Sequence, residues 1–238
     1  MTSFANPQNI LITGASSGIG AALAVAYAKP GNRLHLGGRD QTRLHDIEVL
    51  VRNTGADCAT QVVNVTDPTG MREWIAPLEE LDLVIANAGI SVSTRKKGAA
   101  ADIAEADVFA TNVDGVVNTL TPAISNMRTR GHGQIALMSS LASFRAFRDA
   151  PAYCASKAAV RFYGAGLRRA HGAEGLSVSV ICLGFVRSPM TAANTFKMPL
   201  LMDADKAALR IQRKLAKNRP MIAFPLPMYI AVRMLALF

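Results

Sequence analysis

The chain has 238 residues, half of them apolar, which is enough for one well-buried core and too much for a disordered polymer. Its 18 Gly and 11 Pro follow no period, excluding collagen-like and low-complexity classes, and its three cysteines, Cys58, Cys154 and Cys182, form no CxxC pair that would suggest a zinc site or a disulfide framework. The formal charge of +9 suits an anionic partner or a phosphorylated ligand, but the cations are scattered rather than gathered into a tail, so the composition predicts a basic cytoplasmic enzyme and no nucleic-acid partner. The longest apolar runs are strand-sized and residues 1–8 hold no basic region before an apolar core, so neither a spanning helix nor a secretory leader is expected. In chain order, short apolar runs at 9–13, 33–37, 56–63, 81–86, 133–139, 176–183 and 221–224 read as strands. Between them, stretches at about 18–29, 40–53, 67–77, 99–130, 152–171 and 203–217 have helical periodicity. Strand alternating with helix from end to end predicts a single α/β domain over 1–238, built on a parallel sheet of about seven strands with helices on both faces.

The first strand runs through Gly14, Ser16, Ser17, Gly18, Ile19 and Gly20 into an Ala-rich helix. Backbone N–H groups at such a helix start face a pyrophosphate well, and glycines are needed where a Cβ would block the turn or the close approach of phosphate. The spacing is Gly-x-x-x-Gly-x-Gly. With Asn87-Ala88-Gly89 after the fourth strand, Asn112, Ser140 and Tyr153-Cys-Ala-Ser-Lys157 in order, the chain resembles the short-chain dehydrogenase/reductase family as far as about residue 225. The resemblance implies a Rossmann-type fold and hydride transfer between a nicotinamide cofactor and a carbonyl or secondary alcohol.

The family pattern places Gly38 where NAD-binding members carry an acidic residue, and Arg39 follows it, where a guanidinium suits a 2′-phosphate. NADP(H) is therefore the expected cofactor. Asp40 either caps the next helix or reaches the ribose, and the second family position for a cation, just before Gly18, is Ser17. Asn64 and Val65 stand where the family has Asp-Val against the adenine. Asn87, Ala88 and Gly89 are expected beside the ribose, the Val186 main chain at the nicotinamide carboxamide, and Ser188 at the pyrophosphate.

Tyr153 and Lys157 project from one helix face, four residues apart. A nearby ammonium, together with the positive ring of an oxidised cofactor, lowers a phenol pKa and makes Tyr153 a usable proton donor and acceptor. In the family's sites Ser140 polarises the substrate oxygen and Asn112 binds a water linking Lys157 to solvent; Ser139 and Asp114 are the rival residues. No metal site is expected. A dinucleotide-sensing scaffold without turnover is the alternative, but it has no need of this relay.

The substrate loop, 188–202, and the segments 91–97 and 141–150 contain Phe144, Phe147, Phe196, Leu200 and Leu201, predicting a largely apolar pocket, with Arg145, Arg148 and Lys197 as cations within reach. The resemblance implies a homodimer or homotetramer built on the helices at 99–130 and 152–171, where Ala155, Ala158, Ala159, Gly164 and Gly166 permit close approach. The apolar tail, 225–238, follows a basic stripe of Lys206, Arg210, Arg213 and Lys217. A cover of protein is the favoured expectation for that tail, and peripheral membrane contact is the alternative.

Overall fold

The computed structural model describes residues 6–91, 105–192, 194 and 196–236. Seven parallel strands form one sheet in the order β3-β2-β1-β4-β5-β6-β7. They are β1 (Asn9–Thr13), β2 (Arg33–Gly38), β3 (Asp57–Val62), β4 (Leu83–Ala86), β5 (Gly133–Ser140), β6 (Leu176–Leu183) and β7 (Met221–Phe224), each within two residues of its expected span. The helices are α1 (Gly18–Tyr27), α2 (Gln41–Arg52), α3 (Pro68–Ile75), α4 (Gly115–Arg130), α5 (Pro151–His171), a short α6 (Pro189–Ala192), α7 (Ala204–Leu215) and α8 (Leu226–Leu235).

A parallel strand between two helix layers must be apolar on both sides. In β1, Ile10 and Ile12 join Leu23 of α1, Leu44 of α2 and Ile211 of α7 in one core layer. Leu11, pointing the other way, joins Met71 of α3, Leu120 of α4 and Val160 of α5 in the second. The fold is thus a doubly wound, Rossmann-type single domain. Because β1 lies between β2 and β4, the winding reverses there and a crevice opens at the strands' C-terminal ends.

Three features depart from expectation. The helix expected from 99 begins partly outside the described residues, and a π-helical turn, Ala110–Asp114, leads into α4. Gly164 is not available for contact between subunits: it is buried, and an added Cβ would lie 2.5 Å from Val180 Cγ2, so its missing side chain lets α5 lie close on its own sheet. The tail, expected only as an apolar segment, folds as α8 and sets Val232, Met228 and Tyr229 against Leu141, Phe144 and Val180. The Arg145 guanidinium fastens its end by donating to Leu235 O at 2.7 Å.

Candidate functional site

A cleft of about 530 Å³ occupies the crevice. Every residue expected at the cofactor or the reacting centre lines it except Gly20 and Asn112. Gly14 and Gly18 have φ of +65° and +56°, a conformation that side chains rarely adopt. A Cβ on Gly14 would lie 2.8 Å from Ala88 Cα, and one on Gly18 3.0 Å from Ser188 Cβ. Ser17, at the N-cap of α1, makes no side-chain cap bond, and the first turn carries no acidic residue. The leading N–H groups of α1 thus meet no competing carboxylate, and the glycines leave an open cradle in front of them; both fit a pyrophosphate. Gly20 faces inward instead, where a Cβ would lie 2.2 Å from Gly14 O.

Asn87 fixes this turn. Its Nδ2 donates to Thr13 O at 2.9 Å and Gly14 O at 3.2 Å, while Thr13 Oγ1 accepts from the N–H groups of Asn87 and Ala88. Thr13 was not among the expected site residues, since its strand position showed only that it ends β1. At the adenine end, Asn64 Oδ1 accepts from Thr66 N–H at 3.2 Å and so shapes the loop. Its amide group is left as a donor, and one lone pair of Oδ1 remains as an acceptor. Val65 lies beneath Gly115, where a Cβ would come 2.6 Å from Val65 Cγ2.

Past β2, Asp40 caps α2: Oδ1 accepts from Arg43 N at 3.0 Å and Oδ2 pairs with Arg43 Nε at 3.1 Å. The carboxylate is thereby drawn onto its own helix, leaving Arg39 exposed on the cleft wall with Arg43 as a second cation beside it. Arg43 was missed in the sequence because only the helix started by Asp40 turns that side chain back toward the turn.

The groups expected at the reacting centre come from β5 and the first two turns of α5. Ser139, the rival to Ser140, is buried and donates to Lys157 O at 2.8 Å, a structural bond. Ser140 Oγ caps the 3-10 turn Leu141–Phe144 by accepting from Ala142 N–H at 3.1 Å, and it lies beside Tyr153. Burial raises the Tyr153 phenol above the ordinary tyrosine range, and the Ser140 hydroxyl pulls it partway back. The expected lowering by Lys157 is not seen in the protein alone. The Lys157 ammonium lies 5.7 Å from the Tyr153 ring centre and donates to Met138 O at 2.9 Å. Burial pushes that ammonium down to about 8, opposed by the Cys182 thiol.

Since the unfolded chain holds this lysine proton up to 10.5, the ammonium opposes folding fully below pH 8, and the penalty is relieved as pH rises from 8 toward 10.5. Lys157→Met is therefore expected to stabilise the ligand-free protein by about 1–3 kcal/mol at pH 7. Urea midpoints at pH 7 and at pH 10 check this, and the advantage should shrink at the higher pH.

Asn112 is fully buried in the π turn and lies behind the cleft rather than in it. Its Oδ1 accepts from Ile90 N–H at 2.8 Å, and its Nδ2 donates to Ile90 O and Ser156 Oγ, both at 3.0 Å. Ser156 Oγ in turn donates to Tyr153 O at 2.8 Å. The amide is thus committed to tying three segments together. Asp114 is exposed. Gly89 lies against the same group, where a Cβ would come 3.2 Å from Lys157 Nζ.

After β6, Phe185 and Arg187 bond to Met202 while Thr191 Oγ1 donates to Val186 O at 2.8 Å, so the Val186 N–H is the backbone donor turned from that bridge. Ser188 N–H donates to Thr191 Oγ1 at 2.9 Å, and its hydroxyl accepts from Thr191 N–H at 3.3 Å. None of Phe144, Phe147, Phe196, Leu200 and Leu201, expected in the substrate wall, lines the cleft. Ile90, Leu183 and Met190 line the cleft, but Phe144 is held between Arg161 and Tyr229, and Phe196 packs edge-on against Phe185. Arg145 spends one N–H on Leu235 O, and Arg95 to Lys97 lie outside the described residues.

Residues 8–198 match the family model described as short chain dehydrogenase. A Myxococcus xanthus protein named as an oxidoreductase is 33% identical, over 95% of this chain and 91% of its own. A Staphylococcus saprophyticus oxidoreductase is 30% identical, over 76% of this chain and 79% of its own. Among solved structures, a short-chain dehydrogenase from Sphingobium yanoikuyae in complex with NADPH superposes with a TM-score of 0.83 at 23% identity, covering 97% of this chain and 92% of that one. Levodione reductase does so with a TM-score of 0.82 at 22% identity, over 94% and 98%. The glycine cradle, the reacting groups at its end and these matches lead to one conclusion: the chain belongs to the short-chain dehydrogenase family, oxidoreductases that bind a nicotinamide dinucleotide.

Proposed function

We propose that this chain is an NADP(H)-dependent oxidoreductase acting on a carbonyl or secondary alcohol of largely apolar character, with Tyr153 as the proton donor and acceptor. The observation that carries the cofactor choice is the end of β2, where Arg39 and Arg43 stand on the cleft wall and Asp40 is neutralised in the α2 cap. The Arg39 guanidinium suits a 2′-phosphate, Arg43 adds N–H donors beside it, and the Asp40 carboxylate, also on the cleft wall, is engaged by the α2 cap and by Arg43. The N–H groups opening α1 would hold the pyrophosphate, Asn64 and Val65 the adenine, and the Val186 N–H the carboxamide. The dinucleotide, when bound, supplies or accepts the hydride.

The remaining work falls to the chain's own groups. Ser140 and Tyr153 face the same cleft, so a substrate oxygen between them receives one hydrogen bond from the serine hydroxyl and one from the phenol. In the reducing direction Tyr153 gives up its proton as negative charge develops on that oxygen, and Lys157 offsets the phenolate left behind. Burial holds the phenol protonated until then. The apolar side chains of Ile90, Leu183 and Met190 exclude water and favour an apolar substrate body.

NADPH is expected to bind at least about tenfold more tightly than NADH. Arg39→Ala should cost NADPH about 1.5–3 kcal/mol and leave NADH nearly unchanged, with Arg43→Ala acting in the same direction. Fluorescence titration of both cofactors measures this, and equal affinities in the native protein would refute the NADP assignment.

A further inference from the structure

The 3-10 turn Leu141–Phe144 is four residues long, and hydrogen bonds in so short a turn are too poor to fix its place, so the packing of its side chains does. Ser140 caps that turn. The two partners of Ser140 Oγ, the Ala142 N–H at 3.1 Å and Leu183 O at 3.3 Å, belong to the turn and to the end of β6. α8 stands behind both. Leu141 and Phe144 pack in one cluster with Val232, Met228 and Tyr229. Gly184, next after Leu183 and on the cleft wall, lets the root of α8 so close that a Cβ would lie 2.9 Å from Pro225 Cδ and 3.1 Å from Met228 Sδ.

The link between α8 and the turn runs through the Phe144 ring. From α5, Arg161 lays its guanidinium over that ring at 4.4 Å and donates to Ser143 O at 3.3 Å. From α8, Tyr229 meets the ring edge-on, with 5.3 Å between centres and 73° between planes, and the Arg233 guanidinium lies 5.8 Å from the ring centre. Arg161 sits on the helix that carries Tyr153 and Lys157, so replacing it would disturb the reacting groups directly. Tyr229 does not line the cleft, and it acts on the site from outside. Its hydroxyl turns to Met221 Sδ at 3.9 Å, so the ring and not the hydroxyl meets Phe144.

We propose that Tyr229 is a positioning residue of the reaction: by holding Phe144 against Arg161 it sets the turn, and with it the aim of the Ser140 hydroxyl at the substrate oxygen. The assignment rests on the proposed role of Ser140 as donor to that oxygen. A small displacement of the hydroxyl weakens a bond that tightens as charge develops on the oxygen, so the loss falls on kcat rather than KM.

The test is a double-mutant cycle on Tyr229 and Ser140 in the full chain, with NADPH and whichever of acetophenone, cyclohexanone and hexanal the parent reduces fastest. Tyr229→Ala should lower kcat at least about fivefold, while KM and the NADPH dissociation constant each stay within about twofold. Tyr229→Phe keeps the ring and should stay within about twofold of the parent in kcat. In a Ser140→Ala background, Tyr229→Ala should cost less than about twofold further, because the hydroxyl it aims is gone. A general loosening of the fold would instead lower turnover equally in both backgrounds. If Tyr229→Ala fails to fold, Tyr229→Leu, which keeps apolar bulk without the ring, takes its place in the cycle. Equal costs in the two backgrounds, or full activity of the alanine variant where Ser140→Ala is impaired, refute the proposal and leave the role of Ser140 standing. A parent inert toward all three carbonyls, or a Ser140→Ala enzyme as fast as the parent, refutes that role and the proposal with it.

Discussion

Tyr153→Phe should lower kcat by about 10²- to 10⁴-fold while leaving the NADPH dissociation constant within about threefold. The ring keeps its place in the first turn of α5, because Tyr153 O still accepts from Ser156 and the Asn112 bridge does not touch the phenol. Only the transferable proton is lost. Ser140→Ala should cost less, since the phenol remains to bond the substrate oxygen, although the 3-10 turn loses its cap at Ala142. A carbonyl panel followed by NADPH absorbance, with cofactor titration alongside, measures both quantities. Near-native turnover by the phenylalanine variant would remove Tyr153 from the chemistry while leaving the family assignment intact.

Gly20→Ala is expected to damage both the fold and cofactor binding. The added carbon would lie 2.2 Å from Gly14 O and 2.5 Å from Asn87 Nδ2, neither of which can yield without opening the turn under the pyrophosphate. Overpacking of this kind costs about 1–3 kcal/mol of stability. Cofactor affinity should fall at least about 100-fold as the α1 N–H groups lose their aim. Gly172→Ala is the control: nothing lies within 4 Å of its added carbon, and the backbone is ordinary helical, so it should be neutral or stabilising by about 0.4–1 kcal/mol. Denaturation midpoints and NADPH titration separate the two. Equal behaviour would mean that the turn is softer than its contacts indicate.

The strands of the sheet centre were legible because they are buried from both sides and read as continuous apolar runs, with β1 and β6 recovered without error at either end, whereas the edge strand β3, largely exposed, is one residue shorter at each end than expected. The cofactor turn and the tyrosine–lysine pair were legible because their spacing is local. What escaped depends on neighbours distant in sequence. Thr13 acquires its role only when β4 lies beside β1, and Asn112 only when α5 brings Ser156 against it, 44 residues on. Arg43 was hidden by a cap whose outcome the sequence left open. The aromatic residues around 141–150 were misplaced for a different reason. An apolar side chain near a site reads the same whether it faces substrate or a helix such as α8, and Phe144 faces the helix.

The bond between Thr13 and Asn87 also bears on how the enzyme is made. The glycine-rich stretch leaves the ribosome before the residue that pins it, which lies 74 positions later. Until β4 has been synthesised and has docked beside β1, Gly14 and Gly20 sit in an unclasped turn, and closing so long a loop is among the slower steps for a growing chain. The nascent segment from β1 to β3 therefore has no nucleotide to lean on. Its first two strands and α1 must hold together on their own packing, and cofactor contributes to stability only after the sheet has grown across the crevice.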